Sequence, residues 1–284
     1  MTSQEDTIRV IISETERLKQ YVNGLTRDDL RKSTPCEDWN VGELIAHLVW
    51  FAQTYGGMIV RGLSGDVSIP EGFQSVPFKG SAISEAYSKA AVDLRQKLGQ
   101  ELIAAFSERF DQLDHVLLGI GPEDWGKPCY HQYMAITRTV DSYLPTIIQE
   151  LAVHDWDLRS SLDTSPSMSM ESIPVLMEKL PSNRRPWNSP FQITSVATEP
   201  IRYGFQMDGI AGGGQDIVVE GGKAHLENRE GGDANLTLIG RAGTFVLLMY
   251  GRLTLDSAIA AKLFIAEGDL GMIRDFDRWL NTDG

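Results

Sequence analysis

Apolar positions recur with a helical period over most of the first 160 residues. Within 5–24, Ile8, Ile11, Ile12, Leu18, Tyr21 and Val22 fall on one stripe among polar residues, which predicts an amphipathic helix. A second helix is predicted from Val41. Asn40 and Glu43 have capping-box spacing, and Leu44, Ile45, Leu48, Phe51, Ala52 and Tyr55 follow on one face. A third fits 83–118, with Ala86, Ala90, Leu94, Leu98, Leu102, Phe106 and Phe110 in register and Gly119, Gly121 and Pro122 closing it. A fourth begins near Pro145, an acceptable first-turn residue, and carries Ile147, Leu151, His154 and Leu158. Four such helices joined by loops predict an antiparallel bundle. The longest loop, 64–82, is rich in Gly, Ser and Pro.

The period changes after residue 163. Residues 164–170 read as a linker. Short alternating segments follow at 201–207, 216–220, 224–228 and 234–239, set apart by glycine turns at 212–214, 221–222 and 231–232. Helices then fit 241–250 and 267–281. The expected fold is therefore α+β, with a four-helix bundle over 1–163 and a small α+β domain over 164–284.

Composition narrows the function classes. A chain of 284 residues, 42% hydrophobic and 23% charged, can bury a core in each of two domains. The formal net charge of -13 argues against nucleic acid or an anionic membrane as partner. No apolar run approaches the ~20 residues of a membrane span, and the polar start MTSQEDTIRV lacks a signal-peptide core. A cytoplasmic protein, monomeric or homodimeric, is expected. Cys36 and Cys129 lack metal-ligand spacing and are expected to be free thiols.

Candidate chemistry rests on few residues. Of five histidines, His47 and His154 sit within apolar helical stripes, and Glu150 stands one turn before His154. A carboxylate on a mostly apolar face needs compensation. A divalent ion held by Glu150 and His154 supplies it, and so does an ordinary hydrogen-bonded His–Glu pair in the core. Spacing does not attach His47 to either.

The residues around these positions add a resemblance. The run Thr34-Pro35-Cys36-Glu37-Asp38-Trp39-Asn40-Val41-Gly42-Glu43-Leu44-Ile45-Ala46-His47-Leu48 resembles the N-terminal signature T-P-C-x-x-W-x-V-x-x-L-x-x-H-L of the mycothiol-dependent maleylpyruvate isomerase family, within the DinB-like superfamily. Glu150-Leu151-Ala152-Val153-His154-Asp155-Trp156-Asp157-Leu158 resembles its second signature, E-x-x-V-H-x-x-D-L. Gly232-Asp233-Ala234, the Leu247–Arg252 segment and Glu267-Gly268-Asp269 are similar to the family's sterol-carrier-like C-terminal domain. The resemblance implies a DinB-like bundle in which His47, Glu150 and His154 bind a metal. Zinc is the expected ion, with nickel or iron as alternatives, and mycothiol is the expected cosubstrate beside a small-molecule substrate. Asp157 is expected either to orient His154 or to be a solvated charge, and Arg252, by the resemblance, either to hold a substrate carboxylate or to lie on the surface beside a tight turn. Thr146-Ile147-Ile148-Gln149 stands where the family often has an arginine just before the Glu.

A metal-bound thiol loses its proton and becomes nucleophilic. The expected reaction is thiol S-transfer, because the chain is longer than a minimal family member at 62–82 and 180–200. Cis-trans isomerisation is the alternative, and a ligand-binding module with a non-catalytic metal is the alternative of another class. Cys36 is not expected to be the nucleophile, since it belongs to a structural Pro–Trp motif. Tyr130, His131 and Tyr133 are expected to be exposed loop residues, with lining of a pocket as the alternative.

Overall fold

The computed structural model describes residues 3–36, 39–73, 82–180, 199–210, 213–221 and 223–280. The chain divides into two compact units, Thr2–Ser167 and Met168–Gly284.

The first unit is the helical one. Its helices are α1 (Gln4–Asn23), α2 (Val41–Leu63), α3 (Ala82–Leu98), α4 (Leu102–Leu118) and α5 (Leu144–Leu162). The capping box that opens α2 is present in full. The Glu43 amide donates to Asn40 Oδ1 at 3.0 Å and the Asn40 amide donates to Glu43 Oε2 at 2.8 Å, which satisfies two of the amides a helix start leaves open. The single helix expected over 83–118 is two. A 3-10 turn at Gly99–Glu101 divides it, and Gly99 takes a φ of 52° that a side chain would resist. In α1, α2, α4 and α5 the apolar stripes face inward: Ile11, Leu18, Leu44, Leu48, Phe51, Phe106, Phe110, Ile147, Leu151 and Leu158 are all buried, whereas Ala86, Ala90, Leu94 and Leu98 of α3 are only half-buried. Helix α2 is central, packing against α3, α4 and α5, while α1 packs on α4 and α5.

Between α4 and α5 the chain forms an antiparallel hairpin of β1 (Pro128–His131) and β2 (Ile136–Thr139), with Pro128 opposite Thr139 and His131 opposite Ile136. The hairpin packs on α2. Gly62 permits this, since a Cβ there would fall 2.2 Å from Cys129 Sγ and 2.7 Å from the Pro128 carbonyl oxygen. The hairpin corrects the expectation of exposed loop residues: His131 is 1% and Tyr133 8% exposed, and Tyr130 is half-buried. Their side chains are covered because the hairpin lies on the bundle instead of looping into water.

The second unit contains α6 (Ile173–Lys179), β3 (Ile201–Asp208), β4 (Gly214–Glu220), β5 (Lys223–Asn228), β6 (Leu236–Arg241), α7 (Ala242–Met249), α8 (Leu255–Ala260), β7 (Phe264–Gly268) and α9 (Met272–Leu280). Its five strands lie in the order β5-β4-β3-β6-β7. β3 and β6 are parallel and the other neighbours antiparallel. Tyr203, Phe205 and Leu238 are buried with Phe245 of α7 and Phe276 of α9, and the Phe205 and Phe245 rings lie 4.7 Å apart. The chain is thus α+β. The helix expected over 267–281 begins only at Met272, because β7 occupies its start and Gly268, at a φ of 112°, turns the chain out of the strand. Residues 181–198 of one expected insertion and 74–81 of the other lie outside the described residues. Among those described, no helix is long and apolar enough to cross a membrane.

Candidate metal centre

Helix α2 presents His47 in its second turn and α5 presents Glu150 and His154 one turn apart. Their functional atoms meet. His47 Nε2 lies 3.1 Å and His154 Nε2 3.3 Å from the same oxygen, Glu150 Oε2. All three ligand atoms lie within 4.8 Å of one another. A tetrahedral ion bound at about 2.1 Å would hold its donors roughly 3.4 Å apart, close to the two spacings to Glu150 Oε2. Two imidazoles and one carboxylate leave a fourth position open, as in catalytic sites, and the donor set suits zinc, nickel or iron.

The surroundings prepare His154 more than His47. His154 Nδ1 bonds Asp157 Oδ2 at 2.8 Å, and Asp157 is 0% exposed. This leaves Nε2 as the nitrogen that faces Glu150, the arrangement by which a buried carboxylate fixes the tautomer of a metal-ligating histidine. The Cys36 thiol donates to the same Asp157 oxygen at 3.3 Å. His47 is held differently. Its Nδ1 is buried with no hydrogen-bond partner among the described residues, and its ring is packed between Trp39 at 4.8 Å and Trp50 at 5.9 Å.

Electrostatics follow this wiring. Burial pushes His47 below the ordinary histidine value, against the pull of Glu150. Burial works the same way on His154, but Asp157, Cys36 and Glu150 outweigh it and push that ring well up. Burial would raise Glu150, yet its bonds to His154 and His47 hold it well below the usual carboxylate range. The centre therefore demands positive charge. A proton on His154 meets that demand when no ion is bound.

Among the described residues, two other groups of acidic, thiol or imidazole side chains come together. Cys36, His154 and Asp157 share His154 with the triad. Glu16 and Asp111 are paired to Lys19 at 2.5 and 2.6 Å, next to Asp114.

Of the residues singled out in the sequence, His47, Glu150, His154 and Asp157 come together. Arg252 lies in the second unit, just past α7, where its guanidinium donates to the Tyr250 carbonyl at 3.3 Å. Sequence reasoning missed an aromatic wall beside the triad. Trp50 packs on Tyr87 at 4.8 Å and Tyr133 at 5.4 Å, and Phe73 packs on Tyr133 at 5.1 Å. These rings come from α2, α3, the hairpin turn and the loop after α2, so no single stretch of chain signals them.

Fold and site together define a class: a helical bundle that gathers two histidines and a glutamate at one point between facing helices, followed by an α+β unit. Residues 12–159 match the model of the family described as the mycothiol maleylpyruvate isomerase N-terminal domain, more than half of the 284-residue chain. The chain belongs to that family. Two solved structures share its fold. One is a mycothiol-dependent maleylpyruvate isomerase, 12% identical, with a TM-score of 0.57 over 88% of this chain and 90% of that one. The other is a histidine-to-alanine mutant of such an isomerase, 10% identical, with a TM-score of 0.60 over 93% of both chains. No curated protein matches the sequence.

Proposed function

We propose that this protein is a metal- and mycothiol-dependent cis-trans isomerase acting on a small substrate of the maleylpyruvate type, a cis double bond conjugated to a carbonyl. The observation that carries the reading is the convergence of His47 Nε2, Glu150 Oε2 and His154 Nε2 in a chain of this family. A bound divalent ion, with zinc as the proposed metal, supplies acidity to a thiol and stabilises its thiolate. The residues of this chain do the rest. His47, Glu150 and His154 hold the ion, and Asp157 keeps the His154 proton on Nδ1. Arg252 is proposed to hold a substrate carboxylate by a bidentate pair. The division of labour is a metal-binding bundle over 1–163 and a sterol-carrier-like domain over 164–284, in a cytoplasmic protein.

In the reaction the thiolate sulfur adds to one alkene carbon, and the π pair moves to the conjugated carbonyl oxygen as an enolate. The former double bond, now single, rotates. The enolate then re-forms the carbonyl and expels the thiolate, giving the trans alkene with no net consumption of thiol or proton. S-transfer shares the first step. It was expected only from the longer segments at 62–82 and 180–200, whereas both relatives named above are isomerases.

The test is incubation of metal-loaded protein with mycothiol and a cis-configured 4-oxo-2-enoic acid, followed by NMR and mass spectrometry. A trans product of unchanged mass with thiol undiminished supports isomerisation. A stable adduct with thiol consumed replaces it with transfer. Neither product, together with less than stoichiometric metal, removes the enzyme reading.

A further inference from the structure

We infer that a cavity beside the break between α3 and α4 is a second ligand site, for a small organic anion with a carboxylate or phosphate head on an apolar body. No residue of the metal triad lines this cavity, so the inference is independent of the isomerase reading.

The cavity measures about 370 Å³, within the ~300–1,000 Å³ of small-molecule sites. Its lining divides by chemistry. Leu30, Leu102 and Ile103 supply apolar surface, with Leu102 buried and the other two half-buried. Arg27, Arg31 and Arg95 supply charge, and no acidic residue is among the lining. That reverses the balance of the chain, which has 39 acidic and 26 Lys and Arg residues. Three guanidinium groups gathered around one cavity repel one another until an anion joins them. The apolar surface beside them selects an anion that carries a hydrocarbon body.

The arginines are held in place without being neutralised. The break at Gly99 leaves that residue's carbonyl open, and Arg95 Nη1 donates to it at 2.9 Å. Arg27 Nη2 donates to the Gln100 side-chain oxygen at 3.2 Å. Both partners are neutral, and among the described residues neither arginine has a carboxylate partner. Arg31 does pair with Asp28 at 3.1 Å, but the two side chains are 78% and 89% exposed. A pair so exposed is weak, and Arg31 can turn to a ligand. A guanidinium carries several N–H donors in a planar fork, which matches the paired oxygens of a carboxylate or phosphate. Gly42 makes room for Arg95, since a Cβ there would fall 2.6 Å from Arg95 Nε. Gly42 and His47 are five residues apart on α2, a full turn and roughly 140° more. Arg95 and the metal ligands therefore lie on different sides of that helix.

The test is calorimetric titration of the metal-loaded protein with phenyl phosphate, benzoate, inorganic phosphate and benzyl alcohol. Phenyl phosphate or benzoate, which have both head and body, binds saturably with a Kd of about 1 mM or below, and the tighter of the two gives the head group. Inorganic phosphate, which lacks the body, binds about tenfold more weakly than phenyl phosphate. Benzyl alcohol, which lacks the charge, does not bind. Arg27→Met and Arg95→Met each weaken the organic anion by about tenfold, the loss of one charge-assisted bond. Ile103→Asn weakens phenyl phosphate and leaves inorganic phosphate unchanged. His47→Ala changes none of these affinities. Saturable binding of neither organic anion overturns the inference, and so does binding unchanged in both arginine variants. Inorganic phosphate binding as tightly as phenyl phosphate reduces the cavity to a charged surface and also overturns it. Binding lost in His47→Ala but kept in Arg27→Met puts the anion on the metal centre, with the same consequence. If Arg95→Met does not fold, Arg27→Met and Ile103→Asn decide: reduced binding of phenyl phosphate in both supports the inference, and wild-type binding in either overturns it.

Discussion

Asp157→Asn probes how the protein prepares the proposed metal site, and its effect can be worked from the structure. The native carboxylate is fully buried and accepts from His154 Nδ1 at 2.8 Å and from the Cys36 thiol at 3.3 Å. Asparagine keeps the shape and removes the charge. Its amide can also turn its nitrogen toward Nδ1, which would drive the ring proton to Nε2, the nitrogen that must face an ion with a lone pair. Exchanging a charge-assisted bond for a neutral one costs about 1.5–3 kcal/mol. With about 1.4 kcal/mol per decade, that predicts a metal affinity roughly 10–100-fold weaker. Competition against a chromophoric chelator measures it directly, and the gain in Tm on adding metal shrinks in parallel. The pH dependence has a definite sign. Without metal, Asp157, Cys36 and Glu150 push the His154 pKa well above the ordinary value, so binding an ion must displace a proton and wild-type affinity rises with pH. Removing the Asp157 charge lowers that pKa, so the rise in D157N sets in at lower pH. If D157N binds metal within threefold of wild type while its Tm falls equally with and without metal, Asp157 serves packing alone and the reasoning is refuted.

Three further outcomes are expected. His47→Ala leaves a folded bundle that no longer holds one equivalent of metal after dialysis; an unchanged metal content would remove His47 from the ligand set. Asp114, 7% exposed, is pushed up to about 7 chiefly by burial, with Lys19 and Thr15 opposing. A carboxyl whose pKa is raised on folding contributes stability that is fully present below about pH 4 and is lost as pH climbs through about 7. Asp114→Asn therefore gains stability relative to wild type between pH 5 and pH 8, by at most about 4 kcal/mol at the upper end, read as a Tm difference that widens with pH. A gap that stays constant with pH contradicts this. Gly62→Ala drives a Cβ to 2.2 Å from Cys129 Sγ and 2.7 Å from the Pro128 carbonyl. The hairpin must move off α2, costing about 1–3 kcal/mol, and a urea midpoint equal to wild type would show that it need not.

What the sequence made legible was local. The helix stripes and the Asn40–Glu43 box could be read because each lies within a few consecutive turns. The i, i+4 pair Glu150 and His154 shares one helix face for the same reason. The break at Gly99 was hidden because Leu94, Leu98 and Leu102 continue the apolar stripe straight through it. The hairpin was hidden because strands of four residues are too short to show a period, and with it went the burial of His131 and Tyr133. His47 lies 103 residues from Glu150, so no spacing rule could join them, and only the resemblance did.

The physical link between those distant positions is helix phase. A helix turns about 100° per residue, so a start displaced by one position would rotate a ligand out of the site. Asn40 caps α2 seven residues before His47, and Pro145 lies in the first turn of α5 five residues before Glu150. Those two start signals were read in the sequence for the helices they begin. In the folded chain they also set the rotation at which His47, Glu150 and His154 present Nε2, Oε2 and Nε2 to one point. Weakening the Asn40 cap should therefore act on metal affinity as well as on stability. Asn40→Ala is expected to cost about 1 kcal/mol of fold stability. If α2 phase positions His47, metal affinity also falls by several-fold in protein that is still fully folded, measured below the unfolding transition by chelator competition. An Asn40→Ala protein that loses stability yet binds metal as tightly as wild type would show that the packing of His47 between Trp39 and Trp50, and not the cap, holds the ligand in place.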